Sequence, residues 1–498
     1  MLETNLKIYY GIFTINQILK KILGPNNQNL IVLDRQNLII SKKGMRILNI
    51  ITGKNKYTLI IKKYSTYINQ KFGDGIKSFV IISTEIIKNL LFSNHPILFS
   101  NSLNSIFRFA SVTVAKTINY FSFNLGDEIK ELSLVWWLYC MAKTSLSHYN
   151  STNESDYITK ICLLLVIKTR IPENLKQVKL LKITEGTIKE SYIEEGIIIT
   201  INNNYYRDYF LENPKILFSK HLIISKFSSK DIFLKNNNGL HLSDNVFFCN
   251  NKKIMEIIKK TVTSGINYIV SMQIINSKIV SALKKCNILF LDNVFENGYD
   301  KLSIIMSWNN QWMQNTTERL MVVKNAMLFM ANYYQGFAII CKPLDPMTKI
   351  STIIIRGNSN NSVDELRRHI IGALKLLYLS ISDCRFILAN GYIEQKIIGQ
   401  LLLANDKIKH NNRIVLKIIV IAIRNFLTSL YKKDYLKIFG NTSDSAKKNI
   451  LNVKYSTYNV VYKRIMNNYL SGYYELSLFK QKIFIESLKV VELMIRFS

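Results

Sequence analysis

The sequence predicts a multidomain α+β protein in which helical segments at both ends enclose a mixed α/β middle. The chain has 498 residues, of which 48% are hydrophobic, and this length predicts two to four domains rather than one compact core. Apolar residues recur at helical spacing through most of the first third and again from residue 362 to the end. Between about 180 and 355, short β-branched runs alternate with turns. This order predicts a discontinuous domain formed by the two ends, with the middle inserted.

Individual elements follow from the same patterns. The N-terminal segment has apolar positions at helical spacing, and the runs LIVLD and NLIIS, separated by Arg35 and Gln36, predict a hairpin at 30–34 and 37–41. Further helices are predicted at 76–91, 103–122, 128–146 and 276–285, and strands at 196–201, 267–273, 287–294 and 350–357. The Asn-rich tracts at 201–206 and 235–239 predict loops.

The segment FGDGIKSFVIISTEIIKNLL at 72–91 carries the most specific functional signal. Glycines let a backbone approach a ligand closely, and the N-terminus of the following helix presents unpaired N–H groups, so such a turn suits phosphate. Asp74 is then a candidate to hold a metal ion beside that phosphate. A Gly-Asp-Gly tripeptide is also common in ordinary loops, and Lys77 and Ser78 follow Gly75 without the spacer of a Walker A loop. The neighbouring segments must decide between these interpretations.

The charge balance admits two explanations. Lys and Arg total 66 against 34 Asp and Glu, a net charge of +32, which taken literally suggests a nucleic-acid or anionic partner. The excess is spread along the whole chain, and the abundant Ile, Lys, Asn, Tyr and Phe are residues of A/T-rich codons. A biased genome is the favoured explanation, and a nucleic-acid partner is not expected.

Cysteine and histidine spacing gives no sign of a zinc site. The six cysteines show no C-x-x-C pair and the six histidines no H-x-x-x-H pair, which is typical of reduced thiols in a cytoplasmic protein. The longest apolar stretches, such as 414–423, are interrupted by charge, and the N-terminus lacks the layout of a signal peptide. A soluble, cytoplasmic protein with no membrane partner is expected.

Read in order, eight segments resemble motifs of the group II chaperonins, the family of the archaeal thermosome and the eukaryotic cytosolic chaperonin. They are Gly24-Pro25 with the following hairpin and SKKGMRIL at 41–48, FGDG and its helix at 72–91, AKTSLSHYN at 142–150, TEGTIKESYIEEGIIIT at 184–200, ENPKILF at 212–218, TIIIRGNSNNSVDELRRHIIGAL at 352–374, ANGYIEQKI at 389–397 and KQKIFIESLKVVELMIRF at 480–497. The matches are colinear and span nearly the whole chain.

The resemblance implies a chaperonin-like fold with a discontinuous helical equatorial domain, a small intermediate domain and an α/β apical domain. The equatorial domain would comprise 1–148 and 385–498, the intermediate domain 149–200 and 349–384, and the apical domain 201–348. Between ENPKILF and the helix starting near Lys252, where the family carries a helical lid, the sequence is short and Asn-rich. A reduced or altered lid is therefore expected.

The resemblance also implies an ATP site with Mg²⁺. The positions that match the family's nucleotide-binding turns are Gly24, Pro25, Gly73, Asp74, Gly75 and Gly391, with Asp74 as the expected metal ligand. Several family residues are replaced: Ile76 and Lys77 stand for two threonines, Asn27 for a glycine, and Ala389-Asn390 for two glycines of a trio. Lys77 can be read as a cation for phosphate, but exposure on the first turn of the helix is favoured.

Both aspartates that the family uses to position and activate water are missing. One position holds Lys43 and the other Gly372, and losing a general base costs about 10²- to 10⁴-fold in rate. No catalytic residue is therefore predicted, and whether the chain is an enzyme stays open. Asp34 and Asp364 are nearby carboxylates that match no family position.

Three functions remain open from the sequence. The first is a divergent chaperonin-like protein that binds unfolded or assembling protein clients, with ATP bound weakly or not hydrolysed. The second is a slow ATPase subunit of a hetero-oligomeric chaperonin ring, with other chaperonin subunits as partners. The third is a basic nucleic-acid-binding protein on a chaperonin scaffold.

Overall fold

Two compact units make up the computed structural model, and each is drawn from separate stretches of the chain. Unit 1 comprises Met1–Glu173, Lys182–Ser191 and Ile355–Ser498, and unit 2 comprises Asn174–Leu181 and Tyr192–Ile354. The structure describes residues 2–24, 30–34, 37–51, 55–92, 102–124, 134–147, 152–169, 178–201, 210–212, 216–219, 259, 262–263, 265–271, 275, 277–291, 311–312, 321–323, 326–333, 336–343, 351–405, 410–431, 456–459, 464–467 and 472–496.

Helices dominate unit 1. They are α1 (Leu2–Lys21), α2 (Gly44–Ile51), α3 (Lys56–Phe72), α4 (Ile76–Phe92), α5 (Ser102–Tyr120), α6 (Leu134–Leu146) and α7 (Thr152–Thr169). Helix α8 (Ser277–Lys285) belongs to unit 2, and unit 1 resumes with α9 (Asn360–Asp383), α10 (Tyr392–Asn405), α11 (His410–Tyr431) and α12 (Ser477–Arg496).

Helix α4 lies at the centre of unit 1. It packs against α1, α3, α11 and α12, and eleven of its seventeen residues are buried. Its buried Glu85 accepts hydrogen bonds from Asn16 and Lys20 on α1 and from Asn425 on α11. Because an isolated buried carboxylate is costly, these partners fix the relative positions of three helices.

Three small sheets accompany these helices. The hairpin pairs β1 (Leu30–Asp34) with β2 (Asn37–Ser41), a short sheet has the order β19-β16-β3, and β17 pairs with β18. Their bounds are β3 (Phe123–Asn124), β16 (Arg385–Leu388), β17 (Ser456–Asn459), β18 (Arg464–Asn467) and β19 (Tyr474–Leu476). The hairpin prediction is confirmed at its predicted bounds. The helical patterns expected from residue 362 onward form α9, α10, α11 and α12, and short runs between them, such as RFIL, pair as buried strands.

Three sheets lie wholly or mainly in unit 2. Their orders are β10-β9-β8-β12-β11, β6-β14-β13-β7 and β4-β15-β5. The strands are β4 (Val178–Ile183), β5 (Tyr192–Glu195), β6 (Ile197–Ile201), β7 (Phe210–Glu212), β8 (Ile216–Ser219), β9 (Tyr268–Ser271), β10 (Leu289–Leu291), β11 (Gln311–Trp312), β12 (Met321–Val323), β13 (Ala326–Tyr333), β14 (Gly336–Pro343) and β15 (Ser351–Arg356). Strands β9 and β10 are parallel, and α8 between them completes a β-α-β unit with a core of isoleucines, Leu283 and Phe290.

The observed elements match most of the predicted ones. The chain is mostly helical with several sheets, and the helices expected at 76–91, 103–122 and 276–285 occur within two residues of their predicted bounds. The helix expected at 128–146 is described from Leu134 onward. The tract at 235–239, all but the first residue of the tract at 201–206, and most of the expected lid region lie outside the described residues.

Helix α11 is long and apolar enough, by length and composition over Asn412–Tyr431, to cross a membrane. More than half of that segment is buried, and the helix packs against α4, α5 and α10. Its apolar character is explained by this position in the helical core of unit 1.

Candidate functional site

The Gly-Asp-Gly turn joins the C-terminus of α3 to the N-terminus of α4. Helix α3 ends at Gly73, whose φ of 74° is left-handed and whose N–H bonds to the Asn69 carbonyl at 2.9 Å. Gly75 has a φ of 84°, and its N–H donates to Asp74 Oδ1 at 2.8 Å. Only glycine adopts such angles without strain, so the two glycines set the sharp reversal that leads into α4.

Helix α12 closes one side of this turn. A Cβ on Gly75 would lie 2.5 Å from Ile483 Cδ1 and 2.7 Å from the Phe479 ring. The Phe479 ring also meets Phe72 edge-on, with 5.3 Å between the ring centroids. Glycine at position 75 is therefore required by packing as well as by backbone angle.

Gly372 on α9 closes another side, and Lys43 meets it there. A Cβ on Gly73 would lie 2.7 Å from Gly372 Cα, so the two glycines are in contact. A Cβ on Gly372 would lie 2.9 Å from both the Gly73 carbonyl oxygen and Lys43 Nζ. The structure thus brings together the two positions at which the resemblance expects aspartates, and the Lys43 ammonium lies where a side chain at 372 would begin.

Lys77 points back into the unit and not into solvent, so the expectation that it is exposed is wrong. Its side chain is half-buried, and Nζ donates to the Ile22 carbonyl at 3.2 Å, two residues before Gly24. Burial lowers the pKa of Lys77 to about 8; the Asp74 carboxylate opposes this, and the neighbouring Lys43 adds to it. The helical spacing of the sequence did not indicate this direction of Lys77, because its partner Ile22 comes from a distant segment.

Two further lysines surround the same turn. Lys375 Nζ donates to the carbonyls of Asn69 and Gln70, at 3.0 and 2.9 Å, which are among the last acceptors of α3. Burial and the charge of Lys43 lower the pKa of Lys375. Burial also lowers the pKa of Lys42. A cation at a helix C-terminus is stabilised by unpaired carbonyls, which gives Lys375 a structural role that the sequence did not indicate.

His369 and Glu365 on α9 form the wall behind Lys43. Burial, aided by the Lys43 charge, lowers the pKa of His369 to about 4, and its Nε2 lies 3.5 Å from Glu365 Oε1. Burial opposes ionisation of Glu365, but contacts with His369, the Ser41 hydroxyl and the Lys42 N–H lower its pKa to about 2. At neutral pH this wall therefore carries a neutral imidazole and a firmly held carboxylate.

A buried ion triad lies next to the residues that cover Gly75. Lys480 Nζ lies 2.7 Å from Glu394 Oε1 and 2.7 Å from Glu475 Oε2. Burial acts against the charge on Lys480, but the two carboxylates raise its pKa. Burial raises the pKa of Glu475, and the charges of Glu394 and Asp74 add to the effect. Sequence reasoning missed this triad because its members come from separate segments.

The remaining predicted residues are placed as follows. Gly24 is buried with a φ of 95°, and Pro25 lies outside the described residues. Gly391, with a φ of 79°, packs against the Tyr431 hydroxyl so closely that a Cβ would collide with it, and that hydroxyl donates to the Asn390 carbonyl at 2.6 Å. This packing accounts for the glycine at 391, and its role in cofactor binding stays a prediction.

One of the two alternative carboxylates, Asp364, lies away from the positions of the missing aspartates. Asp364 pairs with Lys182 at 2.6 Å and precedes Gly372 by eight residues on α9, about 12 Å along the helix axis. Asp34 ends strand β1, where it faces Asn37 in the hairpin register. Asp34 as a replacement for the general base stays a prediction.

Comparison with family models now identifies the family of the chain. The model of the TCP-1/cpn60 chaperonin family matches residues 15–434. The chain belongs to this family. The resemblance to chaperonins inferred from the eight segments is confirmed.

Individual relatives of this chaperonin are distant but cover most of its length. T-complex protein 1 subunit beta of Dictyostelium discoideum is 23% identical over 402 residues, which cover 78% of this chain and 73% of that protein. The human subunit beta is 19% identical over 408 residues, covering 78% and 72%. That of Saccharomyces cerevisiae is 20% identical over 410 residues, covering 79% and 74%.

The residues of this chaperonin suit phosphate better than Mg²⁺. Glycine turns, the α4 N-terminus and lysines are all phosphate-binding features. Mg²⁺ needs several oxygen ligands in near-octahedral geometry. In the described part of the chain no group of three or more His, Cys, Asp and Glu side chains is placed to hold a metal, and Asp74 is close enough to Lys77 to affect its pKa.

Proposed function

We propose that this chain is a divergent chaperonin that binds unfolded or assembling protein clients, with a degenerate ATP site and little or no ATP hydrolysis. The observation that carries the proposal is the placement of the Lys43 ammonium against Gly372. Both positions would hold carboxylates in a hydrolysing family member.

The chemistry of the substitution supports a loss of turnover. Water attack on a phosphoryl group is assisted by a group that accepts the water's proton, and removing such a base costs about 10²- to 10⁴-fold. A lysine ammonium has three donors and no acceptor, so Lys43 cannot perform this step. Glu365 lies on α9, seven residues before Gly372. Its carboxylate already accepts hydrogen bonds from the Ser41 hydroxyl and the Lys42 N–H at the end of strand β2.

The domain organisation completes the proposal. Residues 1–148 and 385–498 form an equatorial domain, 149–200 and 349–384 an intermediate domain, and 201–348 an apical domain that contacts the client. Membership of the chaperonin family supports this arrangement. The proposal also includes a cytoplasmic location, and ATP and Mg²⁺ as the family's usual ligands. The departures at Lys43 and Gly372 concern hydrolysis and leave client binding unaffected.

The test combines a client-binding assay with an ATP turnover assay on one preparation. A chemically denatured client is diluted into buffer with the purified chain, and aggregation is followed by light scattering while phosphate release is measured with Mg²⁺. We expect suppressed aggregation and phosphate release at least about 100-fold below a hydrolysing group II chaperonin assayed in parallel. Turnover equal to that chaperonin, or no effect on aggregation, would contradict the proposal.

A second candidate is a slow ATPase subunit of a hetero-oligomeric chaperonin ring. The similarity to T-complex protein 1 subunit beta over about four-fifths of the chain favours it. Native mass measurement and negative-stain images of material isolated from the source cells separate the two: a ring containing other chaperonin subunits supports this candidate, and a monomer refutes it.

A further inference from the structure

Three lysines converge on the Gly-Asp-Gly turn from different segments. Lys42 and Lys43 follow strand β2, and Lys77 lies on the first turn of α4; we name these three residues the lysine cluster. The charges of Lys42 and Lys43 both lower the pKa of Lys77, and a Cβ on the next residue, Gly44, would lie 3.1 Å from Lys77 Cγ, so this segment packs against the first turn of α4.

The position of Lys43 within this cluster is the most informative. Its Nζ lies 2.9 Å from the point where a Cβ on Gly372 would stand, beside the contact of Gly372 with Gly73. Because Gly372 has no side chain, the Lys43 ammonium occupies the space where one would begin, next to the contact between Gly372 and Gly73. A positive charge therefore lies beside the turn.

We propose that this turn binds a triphosphate chain without a metal ion, with the Lys43 ammonium supplying the positive charge that a divalent cation would otherwise supply. The inference rests on the proposed function, in which the site binds its ligand without hydrolysing it, and it deepens that function by naming the ionic form of the ligand. A nucleoside triphosphate and inorganic triphosphate share this chemistry.

The charges around the turn favour the metal-free anion. The lysine cluster outweighs the Asp74 carboxylate, and Glu365 is already held by Ser41 and the Lys42 N–H. A metal-free triphosphate carries more negative charge than its Mg²⁺ complex, so it gains more from these ammonium groups. A magnesium ion bound at Asp74 would instead stand among like charges.

Isothermal titration of the full chain tests the proposal. The probes are ATP and inorganic triphosphate, each titrated once in EDTA and once in excess Mg²⁺. We expect binding in EDTA that is at least tenfold tighter than in Mg²⁺. Binding of both probes identifies the phosphate chain as the recognised group, and binding of ATP alone in EDTA supports the same metal-free site with an added nucleoside contact.

Variants assign the effect to Lys43. Loss of a charge-assisted hydrogen bond predicts binding that is about 10- to 100-fold weaker for Lys43→Met in EDTA, whereas Lys43→Arg keeps the charge and retains most of the affinity. The matched control is Lys116→Met, since Lys116 is an exposed lysine of α5 in the same unit. Thermal melting of each variant confirms that it is folded.

Three results would overturn the inference: binding that requires Mg²⁺, no binding of either probe, or a Lys43→Met variant that binds as the original chain does. Aggregation suppression is measured on the same samples. If it persists while triphosphate fails to bind, the metal-free site is refuted and client binding stands; if it is absent while triphosphate binds, the proposed client function fails alone.

Discussion

Replacing Lys480 by methionine is expected to destabilise unit 1 strongly. Lys480 is 6% exposed and Glu394 is 1% exposed, and the ammonium lies 2.7 Å from carboxylate oxygens of both Glu394 and Glu475. Methionine has a similar length and removes the charge, which leaves two carboxylates facing each other. The second oxygen of Glu394, Oε2, is already buried without a hydrogen-bond partner in the described structure, so the loss is not compensated locally.

The expected magnitude follows from the burial of the triad. Removing one partner of a buried ion pair costs about 3–5 kcal/mol because the remaining charge is left without compensation. Glu475 is 22% exposed, so solvent screens part of the effect and the lower end, about 3 kcal/mol, is expected. The control is Lys489→Met on the same helix: the Lys489 side chain is 54% exposed, so solvent screens its pair with the buried Glu486 and a smaller change of about 1 kcal/mol is expected.

Urea unfolding followed by tryptophan fluorescence measures this difference. Trp137 stacks on Phe386 and meets Tyr474, the residue before Glu475, with 4.6 Å between ring centroids, so its emission reports on this region. In the Lys480→Met variant the pKa of Glu475, which burial already raises, loses the opposing effect of the ammonium, so the folded state binds an extra proton and the penalty shrinks as the pH falls from 7.5 towards 5. A Lys480→Met variant that unfolds within about 0.5 kcal/mol of the Lys489→Met control would refute the reasoning.

Three further predictions concern the turn, the wall behind it and the central helix. Gly75→Ala should cost about 1–3 kcal/mol more than Gly472→Ala, because both glycines have left-handed φ but the nearest atom to a Cβ on Gly472 is 3.5 Å away; equal urea midpoints for the two would contradict this. The depressed pKa of His369 contributes stability that is fully present above about pH 6.5 and is lost as the pH falls towards 4, up to about 3 kcal/mol. His369→Gln should therefore flatten melting temperature against pH between 6.5 and 4.5, and an unchanged slope would exclude this role. Glu85→Gln, measured by urea unfolding, should cost about 2–3 kcal/mol through loss of charge-assisted hydrogen bonds, against at most about 1 for Glu492→Gln in a surface pair; equal losses would contradict the central role of Glu85.

Local pattern was sufficient to predict the hairpin and most helices. Leu30–Asp34 and Asn37–Ser41 pair as a hairpin at the predicted bounds, because two apolar runs separated by only two residues leave few alternatives. The strands at 385–388 and 474–476 were missed since each is a short apolar run between long helices. Such a run becomes a strand only when it pairs with its partner strand, which lies about 90 residues away along the chain.

The site was predictable in its glycines and not in its charges. The left-handed angles of Gly73, Gly75 and Gly391 follow from residue type and motif. The inward direction of Lys77 depends on the Ile22 carbonyl, and the Lys480 triad depends on segments separated by some eighty residues. Side-chain partners of this kind are set by tertiary packing, which a single sequence does not display.

The contact between Gly73 and Gly372 has a consequence for synthesis of the chain. Its two halves are separated by about three hundred residues, and Phe479 and Ile483, which cover Gly75, follow about a hundred residues later. Long-range contacts of this kind form slowly, because a large loop must close before any contact stabilises it. While the ribosome is still translating the last helix, the apolar face of α4 lacks its cover, although every strand of unit 2 has already been made. The nascent chain therefore exposes hydrophobic surface until residue 490 or so has emerged, and it is prone to aggregation at that stage.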